Sequence, residues 1–292
     1  MKKKNKSYTS MMMFITSMLI FGTIGVFRRN IVFSSDFLAF ARGIMGGVFL
    51  ILFTGIFGRK DGKSIPKSQW AWLIISGALM GLNWVLVFEA YNYTTVAVAT
   101  LCYYMQPTIV VLLSPVFFRE KLTKKKLGCA MVAIFGMFLV SGVLGEPVKG
   151  GSAPGVILAL LAAVLYATVV MMNKKIEGID SYQRTTIQLL SAGVVMIPYL
   201  FITKGFYQER VTLLSVCLLL VVGIVHTGIA YVLYFGSMEG MKVQSIAILS
   251  YIDPVFALLV SAVVLKESLS FYSVVGAILI IGSAIYSELK EE

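Results

Sequence analysis

The sequence GLNWVLVFEAYNYTTVAVATLCYYMQPTIVVLLSPVFFREKL, residues 81–122, aligns without a gap with GIAYVLYFGSMEGMKVQSIAILSYIDPVFALLVSAVVLKESL, residues 228–269. Twelve of the 42 aligned positions are identical. Apolar composition alone would give some matches, but both stretches also contain Tyr-x-x-Pro and end in a basic residue followed by Glu-x-Leu. The chain therefore contains an internal repeat with a spacing of 147 residues.

The composition around the repeat is that of a membrane protein. Of the 292 residues, 58% are apolar and 13% are charged, whereas a soluble domain has about 25% charged residues. This excludes a soluble enzyme, a disordered chain and a secreted disulfide scaffold. Eight charge-free runs, and two apolar runs that each hold one charge, are long enough to cross a bilayer. These ten runs are 7–27, 37–58, 68–88, 90–118, 127–145, 150–173, 185–203, 211–238, 243–265 and 268–287.

Cysteine usage and the N-terminus agree with this class of protein. The three cysteines, Cys102, Cys129 and Cys217, lie within apolar runs and show no disulfide or metal-ligand spacing. Lys2-Lys3-Lys4 precedes an apolar run of 21 residues that lacks a small-residue cleavage site. This indicates a retained first helix and not a signal peptide.

Basic residues are distributed unevenly between the two sides of the predicted spans. With the N-terminus in the cytoplasm, 18 Lys and Arg residues, Arg184 among them, lie inside, six lie outside, and Arg42 lies within a span. Basic loops stay on the cytoplasmic side, so we predict that both termini are cytoplasmic and that the chain sits in the plasma membrane. The formal charge of +11 is thus a topology signal, and we expect no nucleic-acid partner.

The repeat divides the spans into two units of five helices, residues 1–146 and residues 147–292. Asn92-Tyr93-Thr94-Thr95 is the polar turn that separates helices 3 and 4. Since five is odd, the second unit enters the membrane upside down. Inverted repeats are typical of secondary transporters, whose substrate site lies near the midplane between the halves. We predict an all-α membrane protein with ten transmembrane helices in two inverted five-helix repeats.

With these features the chain resembles members of the drug/metabolite transporter superfamily, in its ten-helix EamA-like branch. The resemblance rests on the chain length, the basic N-terminus, Arg42 early in helix 2 within Phe37-Leu38-Ala39-Phe40-Ala41-Arg42, and the Pro and basic-Glu motifs of helices 4 and 9. It implies alternating access, with helices 1–4 and 6–9 around a central cavity and helices 5 and 10 at the periphery. Cargoes of the family include amino acids, aromatic metabolites, nucleotide sugars and choline-like cations.

Two prolines and an acid inside the spans indicate a central site. Pro107 and Pro254 each remove a backbone donor in mid-helix and free the carbonyl four residues back, which suits a cavity wall or a packing kink. Asp253 lies about ten residues, or roughly 15 Å, into helix 9 and therefore near the bilayer centre. There it would bind a cation, a substrate or a proton, or share a hydrogen bond between helices as a protonated carboxyl. Its repeat mate, Gln106, is uncharged.

Three further ionisable residues are candidates for coupling or gating. Arg42 lies about eight residues into helix 2 from the outside, and Glu89 lies a few residues below the outer turn. We predict that they approach each other as an outer gate; a structural ion pair, or a Glu89 that reaches the membrane surface, is the alternative. His226 is the only histidine and would suit a proton-coupled cycle or an interhelical hydrogen bond.

Aromatic residues surround these positions. Tyrosines lie on two matching helical faces, which comprise Thr100, Tyr103, Tyr104 and Pro107 in helix 4, and Ala247, Ser250, Tyr251 and Pro254 in helix 9. Such faces form an amphipathic pocket for a flat or cationic solute, although Tyr and Trp are also ordinary packing residues. The predicted substrate-binding residues are Trp84, Tyr103, Tyr104, Gln106, Tyr231, Ser250, Tyr251 and Asp253.

We predict a secondary transporter that exports a small metabolite, either an amino acid or an aromatic or cationic solute. The alternative is an uptake carrier for a quaternary amine or a nucleobase-like solute. An intramembrane enzyme is disfavoured because no HExxH, Ser-His or paired-Asp motif is present, and the inverted repeat argues against a channel. We expect no cofactor and no metal, a proton as the candidate coupling ion, and a monomer or homodimer.

Overall fold

The computed structural model of the chain describes residues 2–56, 65–93, 99, 102–140, 153–207, 211–264 and 270–288. These residues are mainly helical, and none of them lies in a strand. Within them we number ten helices and count an interrupted helix as one. They are α1 Lys2–Arg29, α2 Ser35–Ile56, α3 Lys67–Tyr93, α4 Gln106–Phe118, α5 Lys124–Val140, α6 Ala153–Lys175, α7 Ser181–Thr203, α8 Leu213–Ser237, α9 Val243–Val264 and α10 Phe271–Glu288.

Seven of the described helices, α1, α2, α3 and α6 to α9, contain segments long and apolar enough to cross a membrane, and α4 and α10 carry shorter apolar segments. The prediction of an all-α membrane protein is confirmed. The count of ten crossings and the inversion of the second half stay predictions. Helix α3 ends at Tyr93, within the predicted polar turn. Thr94, Thr95, Thr100 and the closing motif at 266–269 lie outside the described residues.

Two helices are interrupted near the middle of the chain's second half. Helix α8 contains a π-helical segment, Ile224–Ile229, between two α-helical parts. Helix α9 breaks at Ser250–Tyr251 and resumes as Ile252–Val264, with Pro254 in the first turn of the resumed part. Pro tolerates this position because its missing N–H has no partner in a first turn. Helix α4 likewise starts at Gln106, directly after a turn at residues 104–105, with Pro107 in its first turn.

Helix α7 lies between α2 and α3 and contacts both. A Cβ at Gly77 would lie 2.4 Å from the carbonyl oxygen of Gln188, and one at Gly81 would lie 2.6 Å from that of Ala192. Since these distances are shorter than any real Cβ contact, α3 and α7 touch backbone to backbone only because both positions are glycine. Small residues at such positions are what allows close packing of membrane helices.

The core lies between helices from the two halves of the sequence. Helix α1 packs on α8 and α9, α3 on α6 and α7, α4 on α6 and α9, and α5 on α10. The main cluster of buried apolar residues joins side chains from several of these pairs, including Phe14, Met80, Leu189 and Phe235. Side chains on the outer faces, such as Ile202 and Leu213, are exposed, as lipid-facing positions require.

The charge distribution inferred from the sequence needs a correction at Arg184. This residue was counted with the cytoplasmic loops, but its side chain is buried. Only 1% of its surface is exposed. Its guanidinium donates to the carbonyls of Ile176 (2.8 Å), Asn173 (3.3 Å), Ile179 (3.4 Å) and Phe235 (3.4 Å). The last carbonyls of a helix lack intrahelical partners and attract a cation, so Arg184 closes the end of α6.

Candidate functional site

The close approach of α2 to the π-helical segment of α8 positions Arg42. A Cβ at Gly46 would lie only 3.0 Å from the carbonyl oxygen of Gly223. One turn before Gly46, the Nε of Arg42 donates to the Oγ1 of Thr227 over 3.1 Å. The Arg42 guanidinium also lies 5.1 Å from the ring centre of Trp84, which is a cation–π distance. A charge from the first half is thus held by the second half.

The π-helical segment also carries His226, which connects α8 to α1. Its Nε2 lies 2.8 Å from the Oγ1 of Thr23, and its ring meets the ring of Phe27 edge-on at 4.7 Å between centres. The neighbouring Thr227 hydroxyl donates to the carbonyl of Val222 over 2.9 Å. Single π-helical turns often occur at functional sites because the extra residue redirects side chains. Here the segment presents His226 to α1 and the adjacent Thr227 to α2.

Asp253 lies at the break of α9, where it faces the first half of the chain. Its Oδ2 accepts a hydrogen bond from the Tyr104 hydroxyl over 3.2 Å. The repeat mate of that tyrosine, Tyr251, acts in the opposite direction and donates to the backbone carbonyl of Tyr104 over 3.1 Å. The Tyr251 hydroxyl is also 3.1 Å from the Oγ1 of Thr108. Each repeat-mate tyrosine therefore satisfies a polar group at the break in the other half.

Four tyrosines from three helical regions form a cluster between these two charges. The ring centres of Tyr103 and Tyr166 are 6.2 Å apart, and those of Tyr231 and Tyr234 are 6.4 Å apart. Tyr166 lies close enough to Tyr231 and Tyr234 to interact electrostatically with both, and it thereby connects the two pairs. Tyr103 donates to the Oδ1 of Asn83 over 3.4 Å. The cluster is an aromatic wall that also carries hydroxyl groups.

The charges of Arg42 and Asp253 act on overlapping parts of this cluster and share Tyr231. Arg42 interacts electrostatically with Tyr103, Tyr166 and Tyr231, whereas Asp253 interacts with Tyr231 and Tyr234. The hydrogen bonds of Arg42 and Asp253 go to different partners, and they form no ion pair within the described residues. A carboxylate and a guanidinium that remain unpaired beside the same aromatic cluster are available to bind opposite charges of one small solute.

A small cavity lies beside the cluster. It is lined by residues that include Gln106, Pro107, Tyr166, Tyr234 and Ser250. Its volume is about 10 Å³, which is close to the minimum that one water molecule needs. A cavity of this size cannot hold a metabolite, so its lining residues must move apart before a solute can occupy this space.

Glu89 does not meet Arg42, contrary to the expected outer gate. Glu89 instead accepts hydrogen bonds from the hydroxyl of Tyr199 and, over 3.3 Å, from the Nδ2 of Asn92. The reason is the position of α7, which lies between α2 and α3 and presents Tyr199 to Glu89. In this conformation Arg42 bonds inward to Thr227, so each residue of the predicted pair has its own partner.

The predicted helical faces are interrupted at the breaks. The adjacent rings of Tyr103 and Tyr104 lie 5.8 Å apart between centres, but Tyr103 donates to Asn83 while Tyr104 donates to Asp253. Tyr251 lies in a different apolar cluster, which contains residues of α5 and α10 such as Ala133 and Ile280. Spacing rules assume a continuous helix, and neither face is continuous here.

Sequence reasoning missed four polar residues of the site, namely Asn83, Tyr166, Thr227 and Tyr234. The Nδ2 of Asn83 donates to the carbonyl of Ala162 over 2.7 Å and so anchors α3 to α6. The spacing of Tyr234, three residues after Tyr231, was a usable signal, since both lie on one face of a helix. Nothing in the sequence indicated the π-helical segment that presents Thr227.

The arrangement of interrupted helices and unpaired intramembrane charges is that of a membrane transporter. The model of the EamA-like transporter family matches the chain twice, over residues 9–142 and 153–287. The chain belongs to the EamA-like transporter family. It is a multi-pass membrane protein, and its family indicates a transporter of small molecules.

Individual relatives agree with this assignment. The chain is 29% identical over 278 residues to the uncharacterized transporter YxxF of Bacillus subtilis (strain 168), covering 95% of this chain and 88% of the relative. It is 27% identical over 252 residues to Protein PecM of Dickeya dadantii (strain 3937), covering 85% and 80%. A solved crystal structure superposes with a TM-score of 0.83 at 20% identity, covering 96% of this chain and 98% of that one, and shows the shared fold.

Proposed function

We propose that this protein is a secondary transporter that carries a small metabolite across the plasma membrane by alternating access. The observation that carries the proposal is the pair of intramembrane charges, Arg42 and Asp253, set around one tyrosine cluster without pairing. An intramembrane charge costs about 2.5–3.5 kcal/mol on insertion scales, so its retention without a counter-charge favours a role in binding.

The two charges favour an amino acid among the cargoes considered. A zwitterion has a carboxylate for the guanidinium of Arg42 and an ammonium for the carboxyl of Asp253. The tyrosine cluster then receives an apolar or aromatic side chain through stacking and hydroxyl hydrogen bonds. The alternative cargo, a quaternary amine, would use Asp253 and the aromatic rings but would leave Arg42 without a role.

The crossing bonds of the repeat-mate tyrosines support the inverted, two-unit organisation, residues 1–146 and 147–292. Tyr104 reaches the break of α9, and Tyr251 reaches the break that precedes α4. The acceptors differ, but both bonds cross between the halves at helix breaks, which suits two inverted units that rock about a two-fold axis in the membrane plane to alternate access. We propose export as the direction, cytoplasmic termini, and a proton as the coupling ion, with Asp253 and His226 as the candidate proton carriers.

Ligand-induced thermal stabilisation of the purified protein tests the cargo class. We expect an amino acid from the screened set to raise the melting temperature of the parent protein. Arg42→Gln and Asp253→Asn should each abolish this rise, whereas Arg42→Lys, which keeps the charge, should retain part of it. Glu177→Gln changes an exposed loop acid and is the matched control.

A different pattern would identify the alternative. Stabilisation by a quaternary amine that Asp253→Asn abolishes and Arg42→Gln leaves unchanged would replace the amino-acid proposal. Stabilisation by an amino acid that survives both Arg42→Gln and Asp253→Asn would remove the proposed site altogether.

A further inference from the structure

Helices α5 and α10 form a cleft on the outside of the helical bundle, away from the central site. The two helices touch closely at Gly136, where a Cβ would lie 2.8 Å from the carbonyl oxygen of Gly276. Nearer the start of α5 they diverge, and a Cβ at Gly128 or Gly282 would meet no atom within 4 Å. The divergence leaves a cleft of about 580 Å³, which is within the range of about 300–1,000 Å³ typical of small-ligand sites.

One end of this cleft is basic and the rest is apolar. Lys124 and Lys125 line the end at the start of α5, and Lys124 is exposed. The Nζ of Lys125 lies 5.0 Å from the ring centre of Tyr286, which holds the ammonium over the cleft wall. Val132 and Ile278 continue the lining away from the lysines. A basic end with an apolar continuation is the chemistry that receives a charged head and a hydrocarbon tail.

We propose that this cleft binds an anionic phospholipid of the surrounding bilayer. Its phosphate lies at Lys124 and Lys125, and one acyl chain follows the glycine-lined groove past Gly128 toward Val132. That path is about 12 Å long by helix rise. The proposed orientation puts the lysines at the cytoplasmic face, where anionic lipids concentrate and basic residues beside membrane helices attract them.

Charge complementarity favours a lipid over a second copy of the chain. In a dimer with a two-fold axis along the membrane normal, the same patch of each copy meets the other. Both copies would then bring Lys124 and Lys125 to the same end of the interface, where like charges repel. An anionic headgroup neutralises these lysines instead.

Native mass spectrometry of the full chain tests the proposal with phosphatidylglycerol and phosphatidylcholine as probes. We expect the parent protein to retain phosphatidylglycerol in preference to phosphatidylcholine. Lys124→Gln combined with Lys125→Gln should reduce this preference about tenfold. Gly282→Leu fills the groove without a change of charge and should reduce the retention of both lipids. Lys67→Gln combined with Lys242→Gln removes two exposed lysines elsewhere and should retain the parent's preference.

Three outcomes would overturn the proposal. The parent retaining both lipids equally would show that the lysines select no headgroup. Variants at Lys124, Lys125 and Gly282 that bind lipid like the parent would place the lipid elsewhere. A homodimer that the parent forms and Gly282→Leu disrupts, with no specific lipid, would assign the cleft to a second copy. Gel filtration of each variant checks that it is folded. The two lysine replacements lie at the exposed end of the cleft and preserve the contacts between α5 and α10.

Discussion

At the residue scale, the proposed site predicts that transport depends most on the carboxyl of Asp253. We expect Asp253→Asn to reach the membrane folded but to lose most transport or its dependence on pH, because the amide keeps the volume and loses the charge. Asp253→Ala should behave similarly. Flux measured from about pH 5 to pH 8, the range in which functional carboxyl groups are tuned, checks this.

Gln106 supplies the internal comparison for this prediction. It is the uncharged repeat mate of Asp253 in the sequence, and it lines the small cavity. Replacement of Gln106 by Ala should therefore reduce transport less than Asp253→Asn. If Asp253→Asn transported like its parent at every pH, the transport site would have to lie elsewhere.

Arg184 makes the opposite prediction, because its role is in stability. Arg184→Ala leaves buried carbonyls at the end of α6 without a donor, so we expect the free energy of unfolding to fall by about 2–4 kcal/mol. Arg184→Lys should recover only part of this loss, since one ammonium cannot reach carbonyls on both sides. Thermal unfolding in detergent measures the change, with Lys67→Ala as the exposed control. Equal melting temperatures for Arg184→Ala and its parent would contradict the assignment.

At the residue scale, only part of the candidate site could be predicted from the sequence. Intramembrane position alone singled out Arg42, Asp253 and His226, and the structure gives each of them a partner from another helix. Their partners were not predictable in the same way. Thr227 and Thr23 are uncharged and common in membrane helices, so only the fold distinguishes them. Glu89 matches Arg42 in its predicted depth in the membrane, but depth contains no information about which helix lies between the two residues.

At the element scale, the start of α9 depends on a residue from the first half. Glu120, which follows α4, accepts hydrogen bonds from the backbone N–H groups of Val243 over 3.0 Å and Gln244 over 3.4 Å. The first N–H groups of a helix have no intrahelical acceptor, and a carboxylate there also meets the positive end of the helix dipole. The Lys126 ammonium reinforces this junction by donating to the Oγ of Ser245 over 3.3 Å.

We expect Glu120→Ala to lower the free energy of unfolding by about 1–3 kcal/mol, because the charge-assisted bonds at the start of α9 are lost. Glu120→Gln keeps one acceptor oxygen and should cost less. The repeat mate of Glu120 is Glu267, which lies outside the described residues. If the halves are equivalent, Glu267→Ala should destabilise the protein to a similar degree. Thermal unfolding of the matched pair tests this, and a loss confined to Glu120→Ala would argue against the equivalence.

The elements that sequence could predict are those that composition governs. Long apolar runs predict the helices. The interruptions of α8 and α9 were harder to predict. Pro254 indicates a weak point in α9, but the break falls before it, at Ser250–Tyr251, and the π-helical segment of α8 has no proline at all. Tertiary contacts, such as the approach of Gly46 to Gly223, select that segment.

At the scale of the whole molecule, the inverted organisation predicts a definite topology. A cysteine placed at Gly150 should react with a membrane-impermeant thiol reagent added outside intact cells, whereas one placed at Glu177 should react only after the cells are opened. The exposed Cys217 must first be replaced, because it would otherwise add background labelling. Cytoplasmic labelling at residue 150 would refute the arrangement of the two halves.

We propose that the protein moves a solute by alternating exposure of the site between α2, α4, α8 and α9, with no nucleotide consumed. Counterflow in proteoliposomes tests this most directly, since a carrier exchanges internal unlabelled solute for external labelled solute without any net gradient. With the amino acid identified by thermal stabilisation, we predict transient accumulation of label that Asp253→Asn abolishes and Glu177→Gln preserves. Label that equilibrates without overshoot, or label recovered as a chemically changed product, would show that the protein is not such a carrier.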